Sequence, residues 1–396
     1  MSRLREMIKE LCPDGVEYRK LGELAKIVRG ASPRPIKKFI STDGNGVPWV
    51  KIGDAEIGAK YISKTVEKIT VEGAQKSRRV SLGDLILSNS MSFGRPYLMG
   101  IEGYIHDGWL AITQFDEGYL SDFLYYLLSS GDVQDEMEKK ASFGGAVRNL
   151  NSDIIKEIYL PVPPLPIQNE IVKLLDNFTE LTAELTAELT AELLLRKKQY
   201  EYYRARLLSF EKEQIEWVKI ESICSIQRGR VMSKGYIAEN KGNYPVYSSQ
   251  TENNGELGRI SSFDFEGEYL TWTTDGANAG TVFYRDGKFS VTNVCGLLKV
   301  KSDALLTKYL YYVLSIEAPK YVNSGMGNPK LMSNVMACVK IPLPLLKKQK
   351  EIVTILDRFD TLCNDLTQGL PAEIAARRKQ YEYYRDKLLT FRRKRA

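Results

Sequence analysis

Loops that combine cations with amide and hydroxyl side chains are the part of this sequence with the clearest chemical use. Lysine and arginine bind phosphate groups, whereas asparagine, glutamine, serine and arginine can read the edges of bases. One such residue alone is more often a solvated loop residue, so the prediction of a DNA-binding surface rests on the number of these residues. In the first half of the chain, the candidates for DNA contact are Lys76, Arg78, Arg79, Ser88, Asn89, Ser90, Arg95, Arg148 and Asn149. In the second half, they are Arg228, Arg230, Lys234, Ser248, Ser249, Gln250, Thr273, Thr274, Asn278, Asn328 and Lys330.

Residues for catalysis are much scarcer in the sequence. The chain contains a single histidine, His106, which excludes a histidine-rich metal site and leaves one residue for any Ser-His or Cys-His pair. The sequence lacks a Gly-x-x-x-x-Gly-Lys-Ser/Thr phosphate loop, a Gly-x-Gly-x-x-Gly segment and the Asn/Asp-Pro-Pro-aromatic segment of adenine methyltransferases. We therefore predict a binding protein with no catalytic residues, metal ion or cofactor of its own.

Length and composition set the broad class of the protein. The 396 residues suffice for two domains, and 43% hydrophobic with 27% charged residues is ordinary for a globular protein. The net charge of +6 is a mild basic bias that is compatible with nucleic acid. The five cysteines include no Cys-x-x-Cys pair, and no apolar run reaches about 18 residues. These features predict a cytoplasmic protein.

An internal repeat is the strongest organising feature of the chain. Residues 168–210 and 349–391 align without a gap at a constant offset of 181 residues, and Lys198–Arg204 recurs as Lys379–Arg385. Each copy follows a proline-rich entry, Leu160–Pro166 or Ile341–Pro344, which stops the preceding structure. The constant offset predicts two like helices of like length.

The first copy also contains a tetrad repeat. Thr-Ala-Glu-Leu occurs three times over residues 182–193, and alanine, glutamate and leucine favour helix. Apolar residues in alternating steps of three and four precede the tetrads, which is the spacing of a coiled-coil seam. If the two helices lie antiparallel, each of about 45 residues would span about 65 Å. Each tetrad would add about 6 Å, the length of one or two base pairs.

The remaining sequence predicts two globular domains that share one plan. We predict α+β architecture with domains at residues 1–165 and 211–345 and spacer helices at 166–210 and 346–396, all forming a pseudo-two-fold internal repeat. Both domains consist of short apolar runs broken by glycine and polar residues, which is typical of strand-rich α/β structure. Matching anchors include Arg29-Gly30 with Arg228-Gly229. Loops between the anchors differ in sequence and length.

The tetrads, the twin Lys-Gln-Tyr-Glu-Tyr-Tyr-Arg segments and the proline-rich entries together resemble the specificity subunits of type I restriction–modification systems, most closely the tetrad-repeat (type IC-like) subgroup. The resemblance covers essentially the whole chain. It implies two target recognition domains that each read one half of a bipartite DNA target, separated by two long helices that form an antiparallel coiled coil.

The resemblance also implies partners. Two methyltransferase subunits would bind S-adenosylmethionine, and restriction/translocase subunits would use ATP and Mg²⁺, while this chain would select the DNA target. Two like helices offer two like docking sites. The candidate docking and spacer residues are Leu185, Leu189, Gln199, Tyr200, Tyr203, Arg204, Gln380, Tyr381, Tyr384 and Arg385. The family's DNA contacts cannot be transferred, because the globular loops carry no shared motif.

Two other functions stay open on the sequence alone. A free-standing bipartite DNA-binding regulator would bind its target tightly without partners. A scaffold whose domains bind protein or glycan would show no salt-dependent affinity for DNA, whereas a protein that contacts phosphates weakens steeply as salt rises.

Overall fold

The computed structural model describes residues 2–41, 45–89, 93–144, 147–210, 215–323, 325, 327–365 and 367–394. The chain divides into a first unit, Met1–Ala187 with Ile374–Ala396, and a second unit, Glu188–Glu373. Each unit therefore contains a globular segment and portions of both predicted helical copies. Among the helices of the described residues, none is long and apolar enough to cross a membrane.

The α-helices are α1 Ser2–Leu11, α2 Leu21–Leu24, α3 Val71–Gln75, α4 Ser121–Ser129, α5 Gly131–Lys140, α6 Ser152–Lys156, α7 Leu165–Leu207, α8 Ile220–Ile223, α9 Lys234–Glu239, α10 Thr307–Glu317, α11 Ser333–Cys338, α12 Leu346–Asn364 and α13 Leu370–Leu389. Short 3-10 turns occur at Ile36–Lys38, Ile52–Asp54, Glu252–Gly255 and Ala318–Tyr321.

The strands of the first unit are β1 Tyr18–Lys20, β2 Lys26–Arg29, β3 Val47–Val50, β4 Tyr61–Ile62, β5 Glu67–Ile69, β6 Arg78–Val80, β7 Leu85–Ser88, β8 Pro96–Met99, β9 Gly103–Ile105, β10 Trp109–Thr113, β11 Ser142–Gly144, β12 Val147–Asn149 and β13 Tyr159–Pro161. Those of the second unit are β14 Trp217–Lys219, β15 Cys224–Arg228, β16 Lys241–Tyr247, β17 Glu256–Ile260, β18 Phe265–Glu266, β19 Tyr269–Thr273, β20 Val282–Arg285, β21 Lys288–Val291, β22 Cys295–Val300 and β23 Lys340–Pro342.

The globular segments of the two units are built on the same sheet plan. In the first, sheets have the orders β2-β10-β7-β8-β4 and β5-β3-β9-β6, with β1 paired to β13. In the second, the orders are β15-β22-β19-β20 and β17-β16-β21-β18, with β14 paired to β23. Strands β7 and β19 are inner strands of their sheets and are buried along their whole length, including Ser88, Thr271 and Thr273.

A buried glutamine joins each globular segment to its own helix. Gln168 in α7 is fully buried, accepts a hydrogen bond from Leu120 N at 2.9 Å and donates to Gly118 O at 2.7 Å and Pro163 O at 2.8 Å. Gln349 in α12 accepts from Leu306 N at 2.9 Å and donates to Ala304 O and Pro344 O at 2.8 Å. Each amide thus satisfies three backbone groups at the point where the globular segment meets its helix.

Within each unit, the two helical copies pack antiparallel. In the first unit, the amino-terminal part of α7 shares a core with the carboxyl-terminal end of α13, and the rings of Phe178 and Tyr384 lie 6.4 Å apart. In the second unit, the carboxyl-terminal part of α7 packs on α12, where Phe359 lies 6.2 Å from Tyr200 and 5.5 Å from Tyr203. The antiparallel pairing expected from the sequence is present in both units.

The second helical copy differs from the expectation of equal length, because it consists of α12 and α13. The Asp365 carboxylate accepts hydrogen bonds from Thr367 N at 2.7 Å and Gln368 N at 3.2 Å, which forms a turn at the end of α12. Gly369 follows, and a Cβ there would lie 2.4 Å from Thr361 O. Pro371 then stands in the first turn of α13, where its missing N–H costs nothing. In α7 the tetrads occupy the corresponding positions and the helix continues.

Candidate nucleic-acid interface

In the first unit, a surface that we call the first rim forms at the edge where four strands end. Arg29 ends β2 beside the start of β10, and Ser88 ends β7 beside the same residues. The parallel strands β3 and β9 end together at Val50 and Ile105. The segments that follow these ends make up the first rim: residues 29–32, 51–54, 88–89, 93–95 and 106–108.

Asp107 connects the segments of the first rim. Its backbone oxygen accepts hydrogen bonds from Arg29 Nε and Asn89 Nδ2, both at 2.9 Å. Its carboxylate accepts from Ser32 Oγ at 2.7 Å, and this bond holds the pKa of Asp107 below its usual value. Two segments of the first rim, 29–32 and 88–89, are thereby fixed to the turn at residues 106–108.

The second unit carries an equivalent surface, the second rim, at the ends of β15, β16, β19 and β21. Thr292 Oγ1 donates to Ser248 Oγ at 3.0 Å, and Thr274 Oγ1 donates to Val294 O at 2.7 Å. Asn278 Nδ2 donates to Thr251 Oγ1 at 2.9 Å. The second rim consists of residues 228–231, 248–255, 273–278, 292–294 and 328–330.

A glycine in each rim explains the Arg-Gly pair that the two halves share. A Cβ on Gly30 would lie 2.1 Å from His106 O, and one on Gly229 would lie 1.7 Å from Val291 O. Neither position has room for a side chain, so the backbone passes directly against the neighbouring turn. The two rims therefore have the same backbone framework.

The second rim contains an exposed turn, Thr251–Gly255, that we call the asparagine turn. Asn253 and Asn254 adopt left-handed backbone conformations, with φ of +49° and +52°, and both side chains are exposed. Below it lies Arg285, only 3% exposed, whose Nη2 donates to Asn254 O at 2.8 Å. A left-handed backbone conformation costs most residues about 1–2 kcal/mol and asparagine less. The choice of asparagine and the hydrogen bond from Arg285 therefore both stabilise the turn.

Arg285 is itself held by neutral groups and aromatic rings. Its Nε donates to Thr271 Oγ1 at 3.1 Å, and its guanidinium carbon lies 3.6 Å from the ring centroid of Tyr247 and 4.6 Å from that of Phe283. Burial lowers the pKa of Arg285 from its usual value. Stacking on aromatic faces suits a weakly hydrated planar cation, so the guanidinium forms a rigid support.

The structure places the predicted DNA-contact residues of the first unit in different environments. Ser88 and Asn89 are fully buried and hydrogen-bonded to backbone, so they fix the shape of the first rim and do not reach its surface. Arg95 is exposed on the first rim. Lys76, Arg78 and Arg79 are exposed beside it, and Lys76 and Arg79 pair with Glu72 and Glu102 at 3.1 and 3.0 Å. Ser90 lies outside the described residues, as do the side chains of Arg148 and Asn149 in β12.

The candidates of the second unit divide in the same way. Thr273 and Thr274 are fully buried and support the second rim from within. Ser248, Ser249 and Gln250 are half-buried at the end of β16. The candidates with exposed side chains are Arg228, Arg230, Lys234, Asn278, Asn328 and Lys330. Arg230 Nε lies 3.1 Å from Asp264, and Lys330 Nζ lies 4.0 Å from Asp275.

Two features of the rims were missed by the sequence analysis. The exposed Arg29 was noted only as an anchor, although the structure puts it on the first rim in the position that Arg228 takes on the second. Asn253 and Asn254 were not selected, although Asn-Asn-Gly is a sequence that favours left-handed turns and could have drawn attention to them.

Comparison with known proteins decides the family. The model of the type I restriction modification DNA specificity domain matches residues 13–195 and again 212–376, which is most of the chain. The chain belongs to this family. It is a type I restriction–modification specificity subunit with two DNA recognition domains, one in each unit. The free-standing regulator and the scaffold are not favoured.

Individual relatives agree with the family match. A putative type I specificity subunit from Mycoplasma pneumoniae is 48% identical over 239 residues, covering 58% of this chain and 92% of the relative. A putative type I restriction enzyme specificity subunit from Haemophilus influenzae is 32% identical over 396 residues, covering 95% and 96%. A solved chain from a study of assembly and conformational transition of the type I R-M system has a TM-score of 0.68 at 18% identity, covering 95% and 97%, which supports the fold.

The helical residues that the sequence predicted for partner docking are largely engaged within this specificity subunit. Tyr200 is 8% exposed and Arg204 lies over its ring at 5.3 Å. Tyr381 Oη lies 2.9 Å from Thr179 Oγ1, and Arg385 Nε lies 2.8 Å from Asp386. Gln199 and Gln380 each accept from the arginine three residues earlier at 3.0 Å. Tyr203 and Leu189 are half-buried, while Tyr384 and Leu185 are 38% and 36% exposed.

The repeated helices also expose residues that were not predicted. Tyr202 is 58% exposed and its repeat equivalent Tyr383 is 60% exposed. Each ring makes an edge contact with the next tyrosine, at 5.4 Å and 5.3 Å. Because both copies present the same aromatic ring to solvent, these two positions offer a repeated contact surface.

Proposed function

We propose that this specificity subunit is non-catalytic, works in the cytoplasm and determines which DNA sequence a type I complex binds. Each recognition domain reads one half of a bipartite DNA target. The observation that supports this proposal is the pair of rims. Both have the same backbone framework, in which a glycine packs against the neighbouring turn, but their exposed side chains differ. A common backbone framework with different exposed side chains suits a DNA target whose two halves differ in sequence. Cations on each rim would hold phosphates while amides and hydroxyls read bases.

The helical repeat supports the proposed partners. Tyr202 and Tyr383 recur at the same place in each copy, and aromatic residues are enriched at protein interfaces. We propose that each copy docks one methyltransferase subunit, which gives two per chain, and that restriction/translocase subunits join the assembly. S-adenosylmethionine, ATP and Mg²⁺ would be held by these partners. In the described residues of this chain, no cluster of His, Cys, Asp and Glu side chains is suited to a metal ion.

The helices are further proposed to set the gap between the two half-sites. This proposal is supported by the run of Thr-Ala-Glu-Leu tetrads in the uninterrupted helix α7, and the same tetrads lead us to propose that the chain belongs to the tetrad-repeat subgroup. Adding or removing a tetrad changes helix length by about 6 Å, which is comparable with one or two base pairs.

A methylation map tests the whole proposal. The chain is co-expressed with a type I methyltransferase subunit in a host without adenine methylation, and N6-methyladenine is mapped across the genome. We expect one split motif, with two short specified halves around a fixed gap. Absence of any motif, while the subunit is shown to be bound and active with another specificity chain, would contradict the proposal.

A further inference from the structure

The asparagine turn is an exposed element of the second rim, and the buried Arg285 supports it from beneath. It begins four residues after β16 ends at Tyr247, and Asn278 Nδ2 binds Thr251 at its base. Glu252, Asn253 and Asn254 project from it with exposed side chains, while Gly255 is buried. Gly255 O accepts from Ser248 N at 3.0 Å, which closes the turn onto the end of β16.

The neighbouring charges suit a nucleic acid backbone. Arg228 and Arg230 lie at the end of β15, and residue 230 is paired to Thr292 by a backbone bridge. Lys330 is joined by a bridge to Asp275. The cations therefore stand on rim segments next to the asparagine turn. Arg230 and Lys330 lie beside Asp264 and Asp275, so phosphates would share or replace these carboxylate partners while the turn faces bases.

Asparagine amides have a definite use in such a place. An asparagine side chain can accept a hydrogen bond from adenine N6 and donate one to adenine N7, which distinguishes adenine from the other bases. That pairing requires a fixed backbone, and the buried guanidinium of Arg285 supplies it through its 2.8 Å bond to Asn254 O. The left-handed conformations at Asn253 and Asn254 further limit these positions to Asn, Asp and Gly.

We propose that Asn253 and Asn254 determine specificity for adenine in the half-site read by the second recognition domain, and that Arg285 is a positioning residue that holds them in place. This inference rests on the proposed function, since it presumes that the second rim faces DNA. Asn253 and Asn254 would touch the bases, whereas Arg285 would act only through the turn.

Substitutions that tolerate left-handed geometry separate base reading from backbone strain. Asp accepts from cytosine N4 and cannot donate to adenine N7, so Asn253→Asp or Asn254→Asp should move preference at one position of one half-site from adenine toward cytosine. Asn253→Gly and Asn254→Gly should relax that position without a new preference. We expect changes in discrimination of about fivefold or more, since that is the smallest factor that a good bidentate pair supplies.

The positioning role has its own readout. Arg285→Lys keeps the positive charge over Tyr247 but cannot make both hydrogen bonds, and it should raise methylation at near-cognate sites relative to cognate sites. A variant that only destabilises the domain would lower methylation at both kinds of site alike. Asn243→Asp is the matched control, because Asn243 is exposed on β16 at the opposite end of the same strand.

The experiment maps N6-methyladenine for the full chain and each variant, all co-expressed with the same methyltransferase subunit. The wild-type map tests the proposed function by itself, because a missing split motif would refute that function without reference to the variants. Given a wild-type motif, altered preference confined to one half-site, with Asn243→Asp unchanged, supports the inference. It is overturned if the four Asn253 and Asn254 variants keep the wild-type motif, or if the changes fall in both half-sites.

Discussion

The segments after β3 in the first recognition domain and after β16 in the second occupy the same place on one framework but are supported by opposite charges. In the first domain, the Asp54 carboxylate accepts hydrogen bonds from Lys51 N at 2.7 Å and Val66 N at 2.9 Å and fixes a 3-10 turn. In the second, the buried guanidinium of Arg285 supports the asparagine turn. The difference shows that the framework tolerates complete replacement of a rim segment together with its support.

The connections between globular segment and helix behave in the opposite way. Tyr126 Oη donates to Asp176 and Tyr312 Oη donates to Asp357, both at 2.6 Å. A lysine completes each group, with Nζ 2.7 Å from Asp176 or 2.8 Å from Asp357. The first lysine, Lys60, stands beside β4, whereas the second belongs to α10, so different elements supply the same cation. Contacts that join domain to helix are thus preserved while the rims diverge.

The largest expected effect comes from deleting one tetrad, Thr186–Leu189. The deletion alters α7 in the region where it differs most from the second helical copy, which is interrupted between α12 and α13. Removing four residues shortens α7 by about 6 Å and rotates the remainder of the helix by about 40°. We expect the unspecified gap of the DNA target to shrink by one or two base pairs while both half-sites stay the same. The methylation map gives the result directly.

A length-preserving variant is the control for the deletion. Thr186→Ala keeps the helix length and favours helix, so its methylation map should match the wild type. An unchanged gap in the deletion variant would refute the idea that α7 sets the spacing.

The second expected effect tests whether the two buried glutamines are equivalent. Gln168→Ala and Gln349→Ala each leave a backbone N–H and two carbonyls without the amide, and we expect each to destabilise its own unit by about 3 kcal/mol. Hydrogen exchange measured by mass spectrometry resolves the two units separately. Gln75→Ala, at an exposed position, should change stability by less than about 0.5 kcal/mol. A loss in only one unit would show that the repeated contact is not used equally.

The third effect concerns the tyrosines that bind the helices. Burial raises the pKa of both phenols, so at neutral pH Tyr126 and Tyr312 remain protonated donors. Tyr126→Phe and Tyr312→Phe remove a hydrogen bond to a carboxylate, and we expect a loss of about 1.5–2 kcal/mol in each unit. The same exchange experiment measures it, with the exposed Tyr383→Phe as control. A difference of more than about 1 kcal/mol between the two variants would mean that Lys60 and Lys308 compensate unequally.

The sequence predicted the parts of the molecule that repeat. Antiparallel helix pairing and the shared Arg-Gly anchors follow from residues whose packing role recurs at a fixed offset, and the structure contains both. The break between α12 and α13 was not foreseen, although Gly369 and Pro371 stand there, because the aligned first copy suggested a continuous helix.

The rims were harder to predict, since their surface depends on tertiary position. Ser88, Asn89, Thr273 and Thr274 have side chains suited to base reading, yet they are buried because each stands at or just after the end of a central strand. Asn253 and Asn254 also have side chains suited to base reading, but they lie on a turn beyond a strand end. Arg285, from a strand that is distant in the sequence, supports this turn. Residue type alone does not distinguish these two situations.

The smallest expected effect asks whether the equivalent arginines of the two rims both touch DNA phosphates. Arg29→Gln and Arg228→Gln should each make the negative slope of log K for DNA binding against log salt concentration shallower by about 0.9, because one fewer counterion is released. The measurement is Kd for the mapped target at several salt concentrations, using the chain in complex with its methyltransferase subunit. Lys26→Gln and Lys299→Gln, exposed at the opposite ends of the paired strands, should leave the slope unchanged. A reduced slope for only one arginine would mean that the rims share a framework but approach the duplex backbone differently, so that the unlike turns after β3 and β16 alter the docking as well as the bases that are read.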